Sequence, residues 1–429
     1  RRQRQMCIRD SYYNYYHWWP AEKGEPPLRL SYFDEEGNAW MYNKPTDSYY
    51  LHYFSRKQPD LNWENPEIRQ AIFDMMRFWF DKGIDGFRMD SISLIAKDPS
   101  FPLIDSKKYP DIFSFYAKEP RLHLYLHEMN RQVLSKYDCM SVGEGSAVMV
   151  DDVAKFVDPA REELNMLYHF DAARIRNTTL PDNPESGIDY SLIALKKMFT
   201  EWDKAIDKGW PSIYLGNHDQ PRMVSRFGSD KDEFRALSAK MLITFLLTMR
   251  GTPYWFAGDE IGMRNIRFDR IEDYNDIDTI NRYKKAKAEG KDPQAVLDEQ
   301  KETGRDNART PFQWDRSPEA GFTAGTPWLK VNPDYTWINV ADEEKDPTSI
   351  LNYFKKVVSF RKENPSLIYG SYHLLDAENP QCYIFLRKTG ADTYLIMLNF
   401  SPKAAISTPG IDMSNAHVLL DNYGDRSHM

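Results

Sequence analysis

One arrangement recurs down the chain and narrows the fold more than any other. An apolar helix is followed by a Gly or Pro break, then by a short β-rich step that ends on polar or charged residues. Asn65-Pro66 opens one such helix, with proline at the first helical position, where its missing N–H costs nothing. Ile68, Ile72, Met75, Met76 and Trp79 follow at helical spacing, Gly83 stops the helix, and residues 87–90 read as a strand. The rhythm repeats. A helix near 118–136 precedes a strand at 139–142, and "ELNMLYHFD" (163–171) is the next strand. A helix around 189–206 precedes "SIYLGNHD" (212–219), and one at 232–249 precedes "PYWFAG" (253–258). Such alternation predicts a parallel sheet flanked by helices.

Asp90, Glu144, Asp171, and His218 with Asp219 stand at or just past the C-terminal ends of these strands. In a (β/α)8 barrel that rim carries the chemistry. A closed barrel takes about eight strands, and five are legible here. The expectation is therefore an α/β fold: a partial TIM (β/α)8 barrel holding strands four to eight, with about three units upstream of this chain. As a fragment it would not be expected to turn over substrate. Residues 262–330 read as a charged, loop-like insertion and 348–367 as the closing helix. Two alternating strands in 381–401 predict a C-terminal antiparallel β-domain. The expected domains are a non-native basic tail (1–11), a remnant of a loop-rich domain B (12–62), the barrel part (63–367) and an incomplete β-domain (368–429). The tail is no signal peptide, because no apolar stretch follows it.

Composition removes several function classes. Net charge is −8, from 56 basic and 64 acidic residues, with no basic block beyond the first residues. Nucleic acid and anionic membrane are poor partners for such a surface. Cys7, Cys139 and Cys382 lie too far apart for a metal spacing or a disulfide framework. No metal, cofactor or membrane span is expected, and the oligomeric state is not legible.

The blocks "GIDGFRMD", "SVGEG", "YLGNHDQPR" and "GTPYWFAGDEIGM", in this order, closely resemble the signature blocks of the alpha-amylase family of glycoside hydrolases. "QPDLNW" (58–63) and "GRDNARTPFQW" (304–314) narrow the resemblance to its oligo-1,6-glucosidase and α-glucosidase branch. The likeness covers about 12–422, but the family's "DxVxNH" block, with its sugar-binding histidine, is absent. The resemblance implies an oligosaccharide substrate and, with so few cysteines, a cytoplasmic location.

The chemistry can also be argued from the residues. Glycoside cleavage needs one carboxylic acid for the leaving oxygen and one carboxylate across the anomeric carbon, about 5–5.5 Å apart when configuration is retained. Neighbouring strands run about 4.7–4.9 Å apart, and Asp90 and Glu144 end consecutive strands. Asp90 is expected to be the nucleophile, as the resemblance also implies, with Arg88 on the same strand face holding it ionised and oriented. A structural Arg–Asp pair at a strand end would look the same in isolation. Glu144 is expected to be the acid and then the base, its pKa raised by the neighbouring carboxylate, with Gly143 and Gly145 permitting close substrate approach.

The resemblance further implies that Asp219 stabilises the oxocarbenium-like transition state and that His218 donates to hydroxyls of the same glucose. Arg305 and Arg309 resemble the arginines that grip the terminal glucose in exo-acting members. Tyr254 and Trp255 read as barrel core rather than substrate contacts. Ser91, where members preferring α-1,6 bonds carry valine, leans towards α-1,4 substrates. The fold and triad are shared by sucrose isomerases, trehalose synthases and trehalose-6-phosphate hydrolases. They resemble those of certain non-catalytic transporter heavy subunits too, although those lack the carboxylates.

Overall fold

The computed structural model describes residues 12–33, 38–105, 107–109, 112–178, 181, 189–390 and 392–423. The expected tail, with Cys7, lies outside them. Contacts divide the chain into two units, residues 1–170 with 205–210, and 171–204 with 211–429.

The first unit begins with an antiparallel sheet of β1 (Trp18–Pro20), β2 (Trp40–Asn43) and β3 (Ser48–Leu51), in the order β1-β3-β2. Trp40 and Leu51 join Ala39, Tyr53, Leu94, Phe101 and Tyr116 in a buried cluster beneath it. Beside this cluster Lys97 Nζ lies 2.6 Å from Asp60 Oδ1 and donates to the Leu94 carbonyl. A buried charge needs such partners. The 58–63 block therefore locks a loop with Asp60 and, through the Trp63 carbonyl that accepts from Arg69, leads into the next helix. That helix, α1 (Pro66–Phe80), starts as its sequence predicts: Asn65 caps it by accepting from the Glu67 N–H at 2.9 Å. Gly83, at φ 91°, turns the chain where a Cβ would be strained.

Then come β4 (Gly86–Met89), β5 (Met140–Glu144) and β6 (Met166–Tyr168), a parallel sheet in that order, with α2 (Arg121–Gln132) between β4 and β5. Gly143 and Gly145 are small for a different reason from the expected one. A Cβ on Gly143 would meet Leu164 and Ile92 side chains at 2.7 and 2.8 Å, and one on Gly145 would meet Leu167 at 2.4 Å. Internal packing, not an approaching substrate, fills the space beside them.

In the second unit β7 (Ser212–Ile213) and β8 (Thr252–Pro253) pair in parallel. Helix α3 (Asp171–Thr178) opens the unit, α4 (Leu192–Ala205) precedes β7, and α5 (Arg235–Thr248) precedes β8. The expected 262–330 loop instead contains helices α6 (Ile277–Ala288) and α7 (Pro293–Thr303). Their stretch "NRYKKAKAEGKDPQAVLDEQKET" carries few apolar residues, so periodicity hid them. The capping signals were present: Asp276 accepts from the Thr279 N–H, and Asp292 accepts from the Gln294 N–H ahead of Pro293 at the first position. Helix α8 (Ile350–Glu363) closes onto α5 through Ile350, Tyr353 and Val357 against Ala239, Ile243 and Leu247. Trp255 packs at a tilt against Phe354 with ring centres 4.5 Å apart, in keeping with a packing role.

The unit ends in an antiparallel sheet, β9 (Ser371–Leu375), β10 (Cys382–Thr389) and β11 (Asp392–Asn399), in the order β11-β10-β9. A buried arginine of β10 ties it to the end of α5, and a buried arginine of α8 binds the same helix end. Arg361 donates to the carbonyls of Leu247, Met249, Gly251 and Leu367 at 2.6–2.9 Å. Arg387 donates to those of Thr248, Leu367 and Gly370. Among the described residues no helix is long and apolar enough to cross a membrane.

Candidate active site

The first unit brings Arg88, Asp90 and Glu144 together at the C-terminal end of its parallel sheet. Met89 of β4 is level with Gly143 of β5, so Asp90 and Glu144 stand one step further along, side by side. Arg88 bridges them. Its Nη2 lies 2.6 Å from Glu144 Oε2, and its Nη1 pairs with Asp90 Oδ1. The arginine therefore does not serve Asp90 alone, as its position two residues before it predicts. It is shared.

The two carboxylates meet different surroundings. The Asp90 side chain is 76% exposed and open to attack, whereas that of Glu144 is 11% exposed. Burial pushes the Glu144 carboxyl up. Arg88 opposes this, the Asp90 carboxylate adds to it, and the outcome is upward. Glu144 also accepts from the Ser91 backbone N–H at 3.2 Å and the Ser146 hydroxyl at 3.4 Å. Ser91 holds this position in the left-handed region, at φ 46° and ψ 35°.

The second unit brings His218, Asp219, Arg305 and Arg309 together beyond β7. His218 Nε2 lies 3.2 Å from Asp219 Oδ2. Arg309 Nη2 pairs with Asp219 Oδ1, its Nε donates to the His218 carbonyl at 2.8 Å, and Arg305 Nη1 is 3.4 Å from the same Asp219 oxygen. Burial alone would raise the Asp219 carboxyl, but His218, Arg309 and Arg305 hold it down at about 2. The result is a fixed anion beside two guanidinium groups and an imidazole, a set suited to gripping sugar hydroxyls and facing developing positive charge.

The candidate site residues from the sequence fall into these two clusters, Arg88, Asp90 and Glu144 in one and His218, Asp219, Arg305 and Arg309 in the other, while the strand-end Asp171 does not. That residue opens α3 and accepts from the Trp202 indole at 2.8 Å, a structural contact. Two participants had gone unnoticed. Tyr168 ends β6 in register with Glu144, and its hydroxyl accepts from Arg88 Nε at 2.9 Å. Asp276 caps α6 and pairs with Arg305 Nη2, and its own backbone N–H donates to Asp306 at 2.8 Å. Asp276 was visible as a capping residue, while Tyr168 looked like any strand aromatic.

The sequence matches the alpha-amylase catalytic domain over residues 2–370. The chain belongs to the alpha-amylase family of glycoside hydrolases. An oligo-1,6-glucosidase of Parageobacillus thermoglucosidasius is 48% identical over 423 residues, which cover 96% of this chain and 74% of that protein. An oligo-1,6-glucosidase of Bacillus cereus is 43% identical over 96% of this chain and 75% of its own length. Among solved structures, the isomaltulose synthase of Protaminobacter rubrum superposes with a TM-score of 0.86 at 40% identity, over 92% of this chain and 70% of that one. This alpha-amylase family member therefore has the TIM-barrel fold of its relatives, with its parallel strands in small, open sheets and an antiparallel sheet towards the C-terminus.

Proposed function

We propose that this chain carries a retaining, exo-acting α-glucosidase that cleaves terminal α-glucosidic bonds of short malto- or isomalto-oligosaccharides through a covalent glucosyl-enzyme. The observation that carries the reading is the pair of carboxylates on consecutive strand ends, one open and one buried, sharing a single arginine. Their strand spacing matches the short separation of a retaining pair. Asp90 attacks the anomeric carbon while Glu144, its carboxyl pushed up by burial, gives its proton to the leaving oxygen. Glu144 then takes a proton from water as that water opens the ester to Asp90. Asp219, His218, Arg305 and Arg309 hold the terminal glucose. The few cysteines and the family branch support a cytoplasmic location.

The test is the acid role. Glu144→Gln should slow hydrolysis of maltose or isomaltose on the order of 10²–10⁴-fold and slow activated aryl α-glucosides far less. Azide should partly restore turnover and yield an α-glucosyl azide. Glucose released first as the β-anomer would rule out retention by Asp90.

A second reading, transglucosylation of the sucrose-isomerase kind, draws on the 40% identity to the isomaltulose synthase. The sugars formed from sucrose decide between the two: free glucose and fructose support hydrolysis, whereas an isomeric disaccharide supports the second.

A further inference from the structure

We infer that Tyr168 is a positioning residue whose phenolic oxygen fixes the Arg88 guanidinium, so that one cation serves both Asp90 and Glu144. The inference rests on the α-glucosidase reading for what those two carboxylates do.

An arginine side chain is long and samples many rotamers. To bridge two carboxylates on different strands it has to be held from a third direction. Tyr168 supplies that hold. Two guanidinium N–H groups, on Nε at 2.9 Å and on Nη2, fork onto its one oxygen. The guanidinium carbon also lies 5.6 Å from the centre of the ring. Tyr168 is itself pinned: β6 pairs it with Glu144, its carbonyl accepts from the Gly145 N–H at 2.9 Å, and its ring packs edge-on against Phe170 at 5.8 Å.

Chemistry explains why the third partner is a phenol. A further carboxylate would add a third anion and draw Arg88 away from the other two, while a purely apolar ring would leave Nε without an acceptor. A tyrosine hydroxyl accepts while staying neutral. Burial, and after it the Glu144 charge, push its ionisation above the ordinary tyrosine range. Within this unit the charged groups facing Tyr168 and Glu144 are Arg88 and Asp90 from β4 and its end, and Glu144 itself from β5.

The experiment is Tyr168→Phe in the purified protein, with an aryl α-glucoside as probe. The ring and its packing remain, so Tm should move little. A loosened Arg88 stabilises the Glu144 carboxylate less, so the acid stays protonated to higher pH. The upper limb of the kcat/KM profile should shift up by about half a unit or more, and kcat should fall about tenfold or more with KM little changed. Unmoved limbs with kcat within about twofold of wild type would overturn the assignment. A large fall in Tm with unmoved limbs would also overturn it, because Tyr168 would then be only packing. Glu144→Gln with azide, run alongside, separates the two levels. If azide fails to rescue it, the α-glucosidase reading falls; if rescue succeeds while Tyr168→Phe is silent, only the Tyr168 role falls.

Discussion

Glu144 and Asp219 are both carboxylic acids taken largely out of water, yet one is pushed up and the other down. The number of cations facing each decides the sign. Glu144 divides one guanidinium with Asp90, whereas Asp219 has two guanidinium groups and an imidazole. This gives a stability prediction. The folded-state pKa of Asp219 lies near 2, below its ordinary 3.8, so its contribution is present above about pH 4 and is lost as pH falls through 2. With the side chain 31% exposed, that contribution is on the order of 1–2 kcal/mol. Urea midpoints at pH 5 and pH 2.5 should therefore differ less in Asp219→Asn than in wild type; equal differences would refute it.

Ser91 carries a second prediction at this scale. It sits at φ 46°, where a β-branched residue is strained by about 1–2 kcal/mol. Ser91→Val should lower Tm by a few degrees and move the kcat/KM ratio from maltose towards isomaltose. A wild-type enzyme that already strongly prefers isomaltose, and is unchanged by Ser91→Val, would sink the α-1,4 lean. At this scale most of the site was legible, because acids at strand ends are spaced by the strands themselves. What stayed hidden were partners such as Tyr168, whose role depends on register between strands far apart in sequence.

At the scale of elements, strand ends have to be both tightly packed and chemically open. β5 manages this by leaving Gly143 and Gly145 without side chains, so that Ile92, Leu164 and Leu167 fill the space on either side of Glu144. Gly143→Ala should force those neighbours apart and cost about 1–3 kcal/mol, the usual cost of overpacking. A denaturation midpoint within error of wild type would refute the packing account. The helix-then-strand rhythm was readable because the barrel helices are rich in apolar residues, along one face in α1 and all round in the buried α5. Strand lengths were overestimated: 212–219 shrinks to the two residues of β7, since past that point the chain leaves its ladder to form the loop holding His218 and Asp219. Helices α6 and α7 were missed for the opposite reason, being solvated and poor in apolar residues.

At the scale of the whole molecule, the β9–β11 sheet is fastened to the end of α5 by Arg387, and α8 is fastened to the same helix end by Arg361. Burial lowers both guanidinium groups, to about 10 and about 9, and their donors run to backbone carbonyls at helix and strand ends. Such carbonyls have no helical partner of their own. Arg387→Met keeps much of the volume but orphans the carbonyls of Thr248 and Gly370, while that of Leu367 keeps its bond from Arg361, at about 1–3 kcal/mol for each orphan if no water enters. The expected result is a Tm lower by many degrees; an unchanged Tm would refute the fastening role. This joint also sets how the protein responds to its medium. Dissolved ions weaken attraction between charges that water can reach, and pairs such as Arg282–Glu299 at 39% and 49% exposure are of that kind. A cation sunk among peptide dipoles is beyond the reach of counter-ions, so the C-terminal sheet should stay seated in brine that loosens the surface.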